Sequence, residues 1–455
     1  MFNRSVNIVR KCCPCHGALT VTRGVRRRLP PDPALAEEIP VVEYAKKKPK
    51  ENILYVWGLG EHGALGHYHQ KRALMKGKSD IRFRTYNRPL RLHFGEHHSV
   101  VHVAAGYGFS LFSIKNSGPS KVYGTGLNTD SQLGFQGGKK NTPMGILIAP
   151  VPVKIPFNET NKTKIIGLAA GRAHSVVVTD NEGIFTFGNN SYGQCGRTIF
   201  EDEDYGGSHV VHNIKNLDGL KIQSAECGQD HTLLLMEDGS VYSCGWGADG
   251  QTGLGHMSNV ERFTKVKGEI EGEKIVKISS KADCVLALND KGEVFGWGNT
   301  EYCQIFDEGG QYQQVNTPVH LKKCQGFGKI IDVAAAGSLC MMLNEAGEVF
   351  TWGFGILGRG PVANISWKPE IIPSTIFGKT VFEPDMRVTS IHCGLNHCAA
   401  ITNKGDLYTW GKNRGYCLGL GIKTDQFFPL RVAIGNVCKT LSMGVDHTIA
   451  LCGTI

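Results

Sequence analysis

The chain has 455 residues, 41% of them hydrophobic and 20% charged, with 58 glycines and a formal charge of +9. No run approaches the roughly 18 consecutive apolar residues of a membrane-spanning helix, and a glycine share well above the roughly 7% background points to many tight turns. Residues 1–50 hold eleven Lys/Arg against four Asp/Glu, leaving 39 against 37 in the rest, so the basicity belongs to the leader and is no argument for a polyanion-binding surface as a whole.

Residues 1–31 carry Arg4, Arg10, Lys11, Arg23, Arg26, Arg27 and Arg28, and the first acid is Asp32. Arginine-rich, acid-free composition is that of a mitochondrial transit peptide, and the unbroken apolar core of a secretory signal is missing. A basic tail without an address is the other reading. Residues 32–50 read as a linker. Within the leader, Cys12-Cys13-Pro14-Cys15-His16 has no second ligand pair at zinc spacing. The fifteen cysteines are scattered, many at repeat positions, and read as small buried hydrophobes in a reduced compartment.

From residue 51 onward a short, often aromatic strand ends in glycine seven times, at Gly58, Gly126, Gly188, Gly245, Gly298, Gly353 and Gly411. Five of these anchors have another glycine eight residues on: Gly66, Gly134, Gly196, Gly253 and Gly419. The third unit shows the content of one repeat. An apolar run Ile165–Ala170 stops at Gly171, His174–Val178 follows, and a turn ending in Gly183 leads into Ile184–Phe187. Two β-rich runs joined by such a turn make a hairpin. Further strands start near proline, as at Pro150, Pro318 and Pro429, where a sheet edge tolerates it. Four strands per unit and seven units predict an all-β, seven-bladed β-propeller over residues 51–455. His447–Leu451 lacks a following aromatic strand, and Ile53–Gly58 lacks a hairpin partner. The ring is therefore expected to close by pairing these N- and C-terminal strands, which removes open edges.

The first unit carries an insertion between His67 and His98 with Lys71, Arg72, Lys76, Lys78, Arg82, Arg84, Arg88 and Arg91 against Asp80 and Glu96, interleaved with Phe83, Tyr86 and Phe94. Arginine beside aromatics suits phosphate contact and base stacking, and Lys71, Arg72, Arg82, Arg84, Arg88 and Arg91 are the candidate RNA or partner contacts. A solvated loop is the alternative. Lys139, Lys140, Lys154, Lys162 and Lys164 are read as an extension of that surface, and Glu201-Asp202-Glu203-Asp204 as an acidic counterpoint. Gly58–Gly63, Gly245–Gly250 and Gly353–Gly358 each spell G-x-G-x-x-G, but they lead into turns and strands, where a dinucleotide fingerprint needs a helix. His174, His231, His397 and His447 share one repeat position, each three residues after a glycine, and are expected to donate to a carbonyl of their own blade as structural residues. In the fifth unit Lys281 and Cys284 take the glycine and histidine positions, and Glu301–Phe306 replaces the glycine turn. In the sixth, Ala336 and Leu339 take those positions and the turn shortens to Gly358-Arg359-Gly360-Pro361. These departures read as a partner-facing arc or as tolerated decay. No phosphate-binding loop, nucleophile elbow or paired-carboxylate motif occurs, so covalent chemistry is not expected.

The Val-Tyr-x-x-Gly strands, Gly-Gln-x-Gly turns and segments such as Cys227-Gly228-Gln229-Asp230-His231 resemble the regulator of chromosome condensation family over residues 51–452, and within it most resemble the mitochondrial, exchange-factor-like member. That resemblance implies a propeller without cofactor or metal, in the mitochondrial matrix or at the inner membrane as a peripheral protein. It also implies two kinds of partner: a dynamin-like GTPase of the inner membrane, on which the chain would act as a nucleotide exchange factor, and the mitochondrial large-subunit ribosomal RNA with its assembly factors. A plain protein scaffold is the third reading.

Overall fold

The structure is a computed structural model that describes residues 52–67, 85–116, 118–138, 142–306 and 313–454. The apolar runs pair into seven four-stranded antiparallel sheets. Numbered by their anchor glycines, blades 1 to 7 have the inner strands Val437–Met443, Val100–Ala105, Ile165–Ala170, Ile222–Cys227, Ile275–Ser279, Ile330–Ala335 and Val388–Cys393. Successive blades touch around the full circle, blade 7 back to blade 1 included, through their inner strands everywhere except between blades 4 and 5, where the second strand of blade 4 meets the inner strand of blade 5. The molecule is a seven-bladed propeller. Blade 1 is composite: Ile53–Gly58 pairs on one side with His447–Gly453 and on the other with Tyr86–Arg91, so the expected closure is present.

The core lies between adjacent sheets. One apolar cluster joins blades 4, 5 and 6 and includes the fully buried Trp297 and Trp352; another joins blades 7 and 1 around Trp57. Each large side chain buried this way contributes about 1.5–3 kcal/mol.

The anchor glycines have a steric cause. All seven have φ between +95° and +114°, and a Cβ on any of them would lie 2.1–2.6 Å from the backbone around the loop joining the blade's first two strands. Only glycine fits both conditions. Beyond the anchor, side chains hold the turn. Asn128, Asn190 and Asn413 accept the N–H groups of Leu133, Cys195 and Leu418 at 2.8–3.2 Å. Gln132, Gln194, Gln251 and Gln304 accept the N–H two residues earlier at 2.9–3.0 Å. The fifth turn keeps this frame without its glycine: Thr300 accepts the N–H of Ile305 at 3.2 Å, and Cys303 adopts a left-handed φ of +60° where Gly193 and Gly250 have +85° and +78°. The break seen in the fifth sequence is therefore no break in the turn's shape. The sixth turn is shorter, and its neighbour registers the loss. Trp57, Trp297 and Trp352 donate their indole N–H to Cys417, Gln251 and Gln304 carbonyls in the preceding blade's turn at 2.7–3.0 Å, whereas Trp410, next to the sixth turn, finds no acceptor.

Candidate partner-binding face

Antiparallel order puts the glycine turns and the loops between first and second strands on one face, and the hairpin turns and inter-blade linkers on the other. The repeated histidines stitch the first of these faces together. Thr232 donates to the Gln194 carbonyl at 2.7 Å, so its oxygen accepts from His174 Nε2 at 3.0 Å. Ser110 likewise donates to Ala64 and accepts from His447 Nε2 at 3.0 Å. His231 Nε2 lies 3.2 Å from Ser280 Oγ. Each link joins a histidine to a hydroxyl of the next blade, in place of the expected carbonyl of its own. His397 has the same position but no partner on either ring nitrogen. Burial drives His174 and His231 down to about 3 and His397 to about 4, which keeps them neutral.

Between the repeat glycine and histidine lie two variable residues, and ring closure gathers these pairs around the axis. The Arg172 guanidinium holds Asp230 with both arms, Nε–Oδ1 3.1 Å and Nη2–Oδ2 2.7 Å. The Tyr107 hydroxyl reaches across the axis from blade 2 to the Lys281 carbonyl of blade 5 at 3.4 Å. Asp283 accepts Gln251 Nε2 at 2.9 Å, and desolvation, with Asp249 and Asp230 adding like charge, pushes its carboxyl up to about 6. Burial also raises Asp230, against the pull of Arg172. Further down the axis Lys277 pairs with Asp332. His392 is held at about 3 by burial and by Lys277 and Lys281. The mouth thus sets Asp230, Asp249 and Asp283 against the cations of Arg172 and Lys281, which leaves one carboxylate in excess for a partner's cationic side chain. Among the described residues no cluster of His, Cys, Asp or Glu is placed to hold a metal ion.

Of the sequence-derived candidates, Lys71, Arg72, Arg82 and Arg84 lie outside the described residues. Arg88 and Arg91 are not in a free loop: they lie on Tyr86–Arg91, the outer strand of blade 1. Arg91 is paired with Glu96, while Arg88 is exposed and lies against Gly421 of blade 7. Two of the interleaved aromatics are committed to packing. Tyr86 bonds His67 at 2.9 Å, and Phe94 packs on Phe112 and Tyr123, so neither is open to a base. Lys154, Lys162 and Lys164 belong to the linker between blades 2 and 3 on the opposite face, so they do not extend the surface; Lys139 and Lys140 lie outside the described residues. Glu203 in the acidic run is paired with Arg197. Sequence reasoning passed over Tyr107, Arg172, Asp230 and Asp283. Their signal was polar or charged residues at the two variable positions of the loop between first and second strands, framed by glycine and histidine only in some units.

The chain matches the Regulator of chromosome condensation (RCC1) repeat over residues 51–113, 120–178, 181–235, 346–401 and 404–451. It is 44% identical over 419 residues to the mouse "RCC1-like G exchanging factor-like protein", covering 91% of this chain and 90% of that one. The human protein of the same name is 43% identical with the same coverage. Among solved structures it is similar to human WBSCR16, at 43% identity, a TM-score of 0.82, and 89% and 99% of the two chains covered. The likeness to yeast RCC1 (Prp20) bound to Kap60, at 18% identity, TM-score 0.72 and 89% of each chain, is one of fold.

Proposed function

Because the chain belongs to the regulator of chromosome condensation repeat family, we propose that it promotes guanine-nucleotide release from a GTPase, and that this GTPase is the dynamin-like enzyme of the mitochondrial inner membrane. The observation that carries the reading is the 44% identity, over 91% of the chain, to a relative named for G exchange. Exchange needs no bond-making residues. It needs a surface that binds the nucleotide-free GTPase better than the loaded one, since a ligand shifts an equilibrium only by its differential affinity. We take the axial mouth with Arg172, Asp230 and Asp283 as the candidate for such a surface, and the arginine-rich residues 1–31 support a mitochondrial address. The test is release of fluorescent GDP from the purified GTPase. Wild-type protein accelerates release at catalytic concentrations, and the double variant Asp230→Asn, Asp283→Asn does not. An unaltered release rate with wild-type protein rejects exchange on this GTPase.

A second reading, supported by the basic residues 71–91 and the exposed Arg88, is contact with large-subunit ribosomal RNA of mitochondria during ribosome assembly. It predicts crosslinks to that RNA that vanish when Arg82, Arg84 and Arg88 become glutamate, with affinity falling steeply as salt rises. Crosslinking that survives the triple change rejects the basic segment as the contact.

A further inference from the structure

The linker from blade 6 to blade 7 runs from Pro373 to Arg387 and is longer than any other between blades. It lies on the face opposite the glycine turns, away from the axial mouth. Its base is anchored. Phe377 is 2% exposed and meets Tyr408 and Trp410 edge-on, and Met386 is buried. Asn403 clamps the returning strand: its side chain donates to the Asp385 carbonyl at 2.9 Å, and its backbone N–H donates to Arg387 at 2.9 Å. At the tip, Thr380 and Glu383 exchange backbone hydrogen bonds at 3.4 and 3.2 Å, and the Thr380 hydroxyl accepts the Glu383 N–H at 3.1 Å. Glu383 is paired with Lys404. The two residues enclosed by this closed turn are Val381 and Phe382, 89% and 90% exposed. The fold thus spends an anchored base, a clamp and a closed turn on holding two large apolar side chains in water, each forgoing about 1.5–3 kcal/mol of burial.

We propose that Val381 and Phe382 form a knob that inserts into an apolar cleft, with an acidic lip, on a globular protein partner distinct from whatever occupies the axial mouth. The charges around the knob select this occupant. Glu383 and Lys404 neutralise each other, which leaves the exposed Lys379 and Arg387 against Asp385, an excess of one positive charge within the linker itself. That excess faces an acidic lip favourably. It is too small to hold the protein on an anionic bilayer, where each basic residue contributes about 1 kcal/mol and one short apolar insertion gives only marginal binding. An apolar centre with a polar rim, dominated by one aromatic, is the anatomy of a protein interface.

The test uses the full chain with the photoreactive residue p-benzoylphenylalanine at position 382, and at position 427 on the other face as a control, irradiated in living cells. The knob predicts one discrete protein adduct from position 382 that is missing from position 427. It further predicts that co-purification of that same protein falls roughly tenfold or more with Phe382→Asp, as a hot-spot aromatic should, and is largely retained with Phe382→Leu. Because the tip is exposed, both variants should melt like the wild type, which separates lost docking from lost folding. Adducts to lipid or to a second copy of the chain overturn the proposal, as does the absence of any adduct or co-purification undiminished in Phe382→Asp. None of these outcomes depends on exchange activity.

Discussion

A single missing hydrogen bond shows how the repeat stores stability. Trp297 gives its indole N–H to Gln251 at 3.0 Å, while Trp410, equally buried, gives its own to nothing. Trp297→Phe should therefore destabilise more than Trp410→Phe, by about 1 kcal/mol, the net worth of one such bond; urea denaturation of the two variants measures the gap, and equal losses would contradict the relay. Asp283 works in the opposite sense. Its carboxyl is held near 6 in the fold by desolvation, so the native state binds a proton more tightly than the unfolded chain, and the penalty builds as pH rises from the ordinary carboxylate value and is complete above about 6. Asp283→Asn should then stabilise at pH 7 by something on the order of 1–3 kcal/mol. The gain should shrink as pH falls through 6 and vanish below the ordinary carboxylate range. If the same substitution also abolishes exchange, stability has been given up for binding at that position.

At the scale of elements, strand Ile53–Gly58 holds blade 1 together, between His447–Gly453 and Tyr86–Arg91. Deleting residues 51–58, or ending the chain at Asp446, should abolish cooperative unfolding, whereas trimming an exposed hairpin turn should only lower the midpoint; calorimetry distinguishes the two. The repeat was legible in the sequence because each anchor glycine answers a local steric demand, its positive φ. Facing was harder to read. Lys154, Lys162 and Lys164 stand close in sequence to the basic region, yet each strand crossed reverses the face on which the chain emerges. Phe94 and Tyr86 looked available for stacking because their partners lie elsewhere, Phe112 and Tyr123 in blade 2 and His67 at the far end of the insertion. The axial mouth could not be assembled from sequence, since Tyr107, Arg172, Asp230 and Asp283 meet only when four blades bend round one axis.

For the whole molecule, the buried histidines set an acid limit. His174, His231 and His397 have their pKa values lowered by burial to between about 3 and 4. The unfolded chain takes up protons below the ordinary histidine value while the native state does not, so stability is full above about pH 6.5 and lost progressively as pH falls toward those values. Denaturation curves between pH 4 and 8 should show a midpoint that declines through this window, and a flat profile would mean that the histidines can charge in place. The ring also has two independent faces: the axial mouth on one, and the Val381–Phe382 turn on the other. Pairing residues 53–58 with residues 447–453 adds a constraint in time. The earliest of the described strands can pair with residues 86–91 soon after synthesis, but its other edge stays open until almost the last residues arrive, so six sheets can form while the seventh is half built. A chaperone that guards the open edge of the early strand should therefore raise the yield of folded protein.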